Sequence, residues 1–137
     1  MDCPVEQRRS STRERLLAAA VDRIAELAAA PTMSALLEAT AALVERARER
    51  DATVPLFLDA MREAERDPAL RTRLAETLAT YRQVVAGLVA GAPHPEALAI
   101  LVVALGDGLL LHALVDPDLD VAGAVDALGH LVSGGAP

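Results

Sequence analysis

The chain has 137 residues, enough for one domain with a single sizeable core and too few for two. Hydrophobic residues make up 53%, yet there is one Phe, one Tyr and no Trp. Ala and Leu fill that gap and β-branched runs are nearly absent, which points to an all-α fold and away from sheet. The formal charge of -7 conceals an asymmetry, because all 13 basic residues are Arg and every one lies at or before Arg82. The last third therefore has no cation with which to hold a phosphate backbone, and the single Cys3 excludes an internal disulfide.

Met1 to Ser10 is polar, contains Pro4 and shows no periodicity, so residues 1–10 read as a disordered tail. The basic cluster Arg8, Arg9, Arg13 and Arg15 fits a solvated helix entrance at least as well as a nucleic-acid arm. Ser11-Thr12-Arg13-Glu14 has the spacing of a capping box, and Leu17, Ala20, Val21, Ile24, Leu27 and Ala28 form one apolar stripe that Pro31 ends. Thr32 caps a second helix running to about Arg50, with Met33, Leu36, Leu37, Thr40, Leu43, Val44 and Ala47 on one face. Its charged end, Glu45 to Asp51, reads as an ion-paired surface. A short third helix carries Leu56, Phe57, Leu58, Met61 and Ala64, with Pro55 tolerated in its first turn.

Asp67 caps a long fourth helix from Pro68 to Ala90, with Leu70, Leu74, Leu78, Tyr81, Val85 and Leu88 on its stripe and Gly91 suited to a left-handed exit. Pro93-His94-Pro95 turns into the stretch that organises the rest. From Ala97 to Val115 nearly every residue is apolar, so a helix here is oily on all sides and must be covered all round. At about 30 Å it is long enough to cross a bilayer, but Asp107 sits at its middle and no basic residue anchors either end. No membrane partner is expected. The chain can cover this helix on part of its circumference only, which leaves a face for a second copy. Gly106 and Gly108 fit close approach by a crossing helix. A last helix, Val121 to Val132, is capped by Asp120 and closed by Gly134-Gly135, after which residues 134–137 read as a flexible end. The helical domain is thus 11–133.

The segment Leu56-Phe57-Leu58-Asp59-Ala60-Met61-Arg62-Glu63-Ala64-Glu65-Arg66-Asp67-Pro68, followed by Ala104-Leu105-Gly106-Asp107-Gly108-Leu109-Leu110-Leu111-His112-Ala113-Leu114-Val115-Asp116-Pro117, resembles the carboxy-terminal regulatory domain of TetR-type transcriptional regulators. The resemblance in helix order runs from Thr12 to Val132. It implies a six-helix regulatory domain that pairs through its last two helices into a four-helix bundle. Here that interface would draw on Leu98, Leu101, Val102, Leu105, Gly106, Leu109, Val121, Val125, Leu128 and Leu131. It further implies a small, hydrophobic effector held among the other helices. The chain departs from the family pattern at its amino end: no glycine precedes Gly87, and no turn followed by a short polar recognition helix is recognisable. No DNA-binding residue is therefore assigned.

Asp107, in an apolar helix, needs a hydrogen-bond donor or must stay protonated, with Arg82, Arg62 or Tyr81 as possible partners. A structural hydrogen bond is its simplest role and contact with a ligand the alternative. Phe57, Met61 and Tyr81 are the larger or softer side chains of an aliphatic core and come from neighbouring helices. They either fill that core or line a cavity to which Tyr81 offers a polar tip, together with Leu58 and His112. His94, His112 and His130 do not have metal-ligand spacing, and no nucleophile stands beside a base in a recognisable motif. No metal, cofactor or enzymatic activity is expected. No leader with a cleavage site stands at the amino end, which makes the cytoplasm the expected compartment. The reading is an effector-sensing and dimerising module without its own DNA reader. Its alternatives are a partner that pairs with a full-length regulator and spoils its two-fold grip on an operator, and a purely structural helical dimer.

Overall fold

Side-chain caps decide where the helices begin. Thr32 Oγ1 accepts the Ala35 N–H at 3.2 Å, Asp67 accepts from Ala69 and Leu70 at 3.0 and 3.1 Å, and Asp120 accepts from Gly123 at 2.9 Å. Each satisfies a donor that the first turn leaves free. The computed structural model describes residues 4–49 and 53–134, with side chains from 11 to 49 and from 56 to 134. These residues form α1 (Pro4–Ala28), α2 (Met33–Arg48), α3 (Thr53–Ala64), α4 (Pro68–Leu88), α5 (Pro95–Ala113) and α6 (Val121–Val132). Among the described residues there is no strand.

Three sequence expectations change here. The helix α1 reaches back to Pro4, so Ser11 to Glu14 lie within it and do not cap it, and most of the expected tail is helical. Proline is well placed in a first turn, and Glu6, Gln7, Arg8 and Arg9 are good helix formers. Residues 1–3 and 135–137 lie outside the described residues, as do Arg50 to Ala52. The left-handed residue between α4 and α5 is His94, at φ 55°, and not Gly91. The rigid Pro93-His94-Pro95 segment makes the sharp change of direction there, and at the carboxyl end Gly134 takes a positive φ of 66° as its position past α6 suggested.

The core forms three clusters along the molecule. In the first, Leu16, Leu17 and Ala20 of α1 meet Phe57, Ala60 and Ala64 of α3 and Leu70 and Leu74 of α4. In the second, Ile24 and Leu27 of α1 pack with Leu36 and Leu43 of α2, Tyr81 and Val85 of α4, and Ala99 and Val102 of α5. The third joins Val44 and Ala47 of α2, Leu110 and Ala113 of α5, and Val121 of α6. Helices α1 and α4 thus serve two clusters each, while α5 passes along the second and third with only one side of it covered. Arg48 of α2 donates to the Leu119 carbonyl and ties the α5–α6 connection down over the third cluster.

Candidate functional site

The stripe of α1 that buries Leu16, Ala20 and Leu27 also contains Arg23, because residues seven apart return to nearly the same side of a helix. Arg23 is 4% exposed, and it is the buried charged residue of the described core. Its Nη2 donates to Asp107 Oδ1 of α5 at 2.9 Å, and its guanidinium lies over the Phe57 ring of α3, 4.0 Å from the centroid. That stacking gives the cation a favourable quadrupole on one side. Its Nε and Nη1 are buried and make no hydrogen bond. Leaving a buried donor unpaired costs about 1 to 3 kcal/mol, so this arrangement carries a standing penalty.

Asp107 and Tyr81 complete the polar group. Burial pushes the Asp107 carboxyl up from its ordinary range, and the neighbouring Arg23 charge and hydrogen bond pull it partly back. Its side chain remains 39% exposed, so one end of the ion pair reaches solvent while the other does not. Burial pushes the Tyr81 phenol up to about 12, Asp107 adds to that rise and Arg23 opposes it, which keeps the group a neutral O–H donor at any physiological pH.

These three residues share a cavity with Thr40 and an apolar wall from α1, α2, α5 and α6 that includes Leu27, Leu37, Val44, Val102, Leu109 and Leu128. The free space is about 20 Å³, room for about one water. Thr40 bends its hydroxyl back to the Leu36 carbonyl at 2.8 Å, leaving its methyl 3.5 Å from where a Cβ on Gly106 would stand. The close approach therefore involves Gly106 and α2, whereas Gly108 faces open space. The chemistry on offer is binding: a permanent cation, a carboxylate and a phenol at the polar end of an oily slot.

Of the residues singled out in the sequence, Tyr81 and Asp107 line this cavity and Phe57 lies directly under Arg23. Met61 is 41% exposed, Leu58 packs against the first cluster, and His112 is exposed on α5, so these three are not brought to it. Neither Arg62 nor Arg82 holds Asp107: Arg62 is beside Asp59 at 4.0 Å, and the partner is Arg23. The sequence reading missed Arg23 by treating the α1 stripe as wholly apolar. Its place seven residues after Leu16 was the available signal. Val21, assigned to that stripe, is 39% exposed.

The expected interface residues divide in two. Leu101, Leu105 and Leu131 stand 58%, 48% and 78% exposed. Val102, Val121 and Leu128 are buried in the chain's own core, Leu98, Leu109 and Val125 pack against it, and Gly106 faces Thr40. The open part of α5 also carries Ile100 and Leu111, and Leu114 at its C-cap is exposed as well. By length and composition alone α5 could also cross a membrane.

Among the described residues no group of three or more His, Cys, Asp or Glu could hold a metal ion. No curated protein and no solved structure matches the chain. A family model does: that of the tetracyclin repressor-like C-terminal domain matches residues 31–134, which takes in α2 to α6 and every cavity wall except α1. This chain belongs to that family, the tetracyclin repressor-like C-terminal domains.

Proposed function

We propose that the domain senses a small, largely hydrophobic effector in the cavity around Arg23, Asp107 and Tyr81, and pairs with a second copy of itself through the bare sides of α5 and α6. Domains of this family are regulatory modules that dimerise and bind small-molecule effectors, and the work proposed for this one is transcription regulation in the cytoplasm, with no catalytic step. One observation carries the reading: α5 holds Asp107 at the edge of the cavity and presents the exposed Leu101 and Leu105 on the side away from it. A ligand that moves Asp107 therefore moves the helix on which the partner packs. Association hides that stripe, since contiguous exposed apolar area of this kind is costly in a lone subunit. With α5 and α6 contributed by each copy, the contact is a two-fold four-helix bundle.

Sedimentation equilibrium at micromolar concentration tests the pairing, with a two-copy species expected. A stable, soluble single-copy species overturns it. Thermal melting with small apolar and aromatic compounds tests sensing; a panel in which no compound raises the melting temperature counts against the cavity as an effector site.

A further inference from the structure

The polar end of the cavity specifies the chemistry of what fills it. Arg23 is buried and carries two unspent donors, Nε and Nη1, while its third nitrogen serves Asp107. Its charge is already matched by that carboxylate, so the pair as a whole is neutral. An anionic ligand placed here would be an uncompensated charge in a low-dielectric interior, held beside Asp107. Fork geometry adds a second objection. Both two-pronged edges of a guanidinium include Nη2, so a carboxylate could fork onto Arg23 only by crowding the Asp107 oxygen already there. Nε and Nη1 lie on different edges, and each can serve one single-atom acceptor. The Tyr81 phenol, held neutral, also suits an uncharged oxygen.

We propose that the effector is an uncharged molecule with an apolar body and one carbonyl-type oxygen, a ketone, ester or lactone, whose oxygen accepts a hydrogen bond from Arg23. This rests on the sensing role above and adds the ligand's chemical class. The oxygen sits at the Arg23 end. The body displaces the contacts between α2 and α5 that now close the space to about 20 Å³. Arg23 is a ligand-contacting residue in this scheme, and Asp107 positions it.

The test uses isosteric probes with the full chain: acetophenone as the neutral acceptor, benzoate as the anion and α-methylstyrene as the oxygen-free shape, each with its cyclohexyl counterpart. Binding is read by melting shift and by the Arg23 Nε–H signal in proton–nitrogen correlation spectra. The ketones should bind about ten-fold or more tighter than the other two classes, as a hydrogen bond from a charged donor implies, and should move the Arg23 signal. Arg23→Met has no N–H donor on its side chain, and should bind ketone and alkene equally. Should that variant not fold, the Nε–H signal of the parent protein still decides. Tighter binding of the benzoates, or equal binding of ketone and alkene by the parent protein, overturns the acceptor assignment and leaves the sensing role standing. If no probe of any class binds, the sensing role and the assignment fall together.

Discussion

The two ends of the domain are finished to different degrees. At the α1–α3–α4 end the helices close on one another: Leu70 is fully buried, Leu16, Leu17 and Phe57 nearly so, and the exposed large apolar residues there are Val21 and Met61, each near 40%. At the α5–α6 end the third cluster is smaller, and Ile100, Leu101, Leu105, Leu111, Leu114, Val115 and Leu131 lie open. The amphipathic helices of the first end and the far more apolar helices of the second are therefore used in opposite ways. One end spends its apolar surface within the chain, and the other leaves it open, reserved on the proposed reading for a second copy. The largest expected effect follows from that contrast. Leu105→Arg puts a cation in the middle of the reserved stripe and should weaken pairing by about 3 kcal/mol or more, a hundred-fold or more in Kd, seen as a shift to single-copy mass in sedimentation. Val21→Arg, on the closed end, should leave that mass unchanged.

Core substitutions sharpen the same contrast. Leu70→Ala empties a site with no exposed flank and should cost about 3 kcal/mol in denaturant unfolding without altering the association state. Leu110→Ala, buried on the inner side of α5, should cost a similar amount and weaken pairing as well, because the helix it seats is the one on which the second copy is proposed to pack. If the two variants associate equally well, the division into a closed and a reserved end is wrong.

How far the sequence disclosed this division depends on the residue. The caps at Thr32, Asp67 and Asp120 were legible because a short polar side chain ahead of an apolar run has one local purpose, and the stripe of α4 was legible because Leu70, Leu74, Tyr81 and Val85 repeat at helical spacing. An all-apolar helix was another matter. In α5 every position looks like an interior one, so nothing local distinguishes Val102, which faces α1, α2 and α4, from Leu101 beside it, which faces outward. Only the packing of α2 and α4 chooses the side. Asp107 announced itself by its surroundings, but its partner lies 84 residues away. Charge alone did not sort the arginines either: Arg13 pairs with Asp67, Arg62 lies on the surface beside Asp59 of its own helix, and Arg23, on the helical line of Leu16, is inside.

The single tyrosine allows the seam between the two ends to be titrated. Tyr81 lies in the second cluster, and its pKa of about 12 stands above the ordinary 10.0. A group whose pKa is raised on folding adds stability that is complete below its unfolded value and lost as the pH climbs through its folded one. The contribution here is present below pH 10 and disappears towards pH 12, amounting to about 2 to 3 kcal/mol in all. Tyrosinate absorbance should rise with a midpoint well above 10, together with loss of helix by circular dichroism. A midpoint near 10 with the helices intact would mean that the cavity is open to water at this end.

Arg23 joins the closed end to the reserved one, and it is held there at a cost. Replacing both partners of a buried ion pair by apolar side chains is often neutral or stabilising, and removing one alone is costly where the other is left buried; here two of the three guanidinium nitrogens have no partner and Asp107 is the partly exposed member. Arg23→Met removes both unpaired donors, gives up the stacking on Phe57, and leaves Asp107 with an exposed edge that water can reach. These terms oppose one another, and the donors outweigh the stacking, so the variant should be about 1 kcal/mol more stable than its parent. The gain should grow in mild acid. Without the Arg23 charge the Asp107 carboxyl rises further, and a carboxyl raised on folding contributes stability that is present at low pH and lost as the pH climbs through its folded value. The same variant should no longer prefer a ketone over its alkene isostere. Greater stability together with lost recognition would identify Arg23 as a residue retained for what it binds. A variant that is less stable by 2 kcal/mol or so would show instead that the ion pair holds the two ends together.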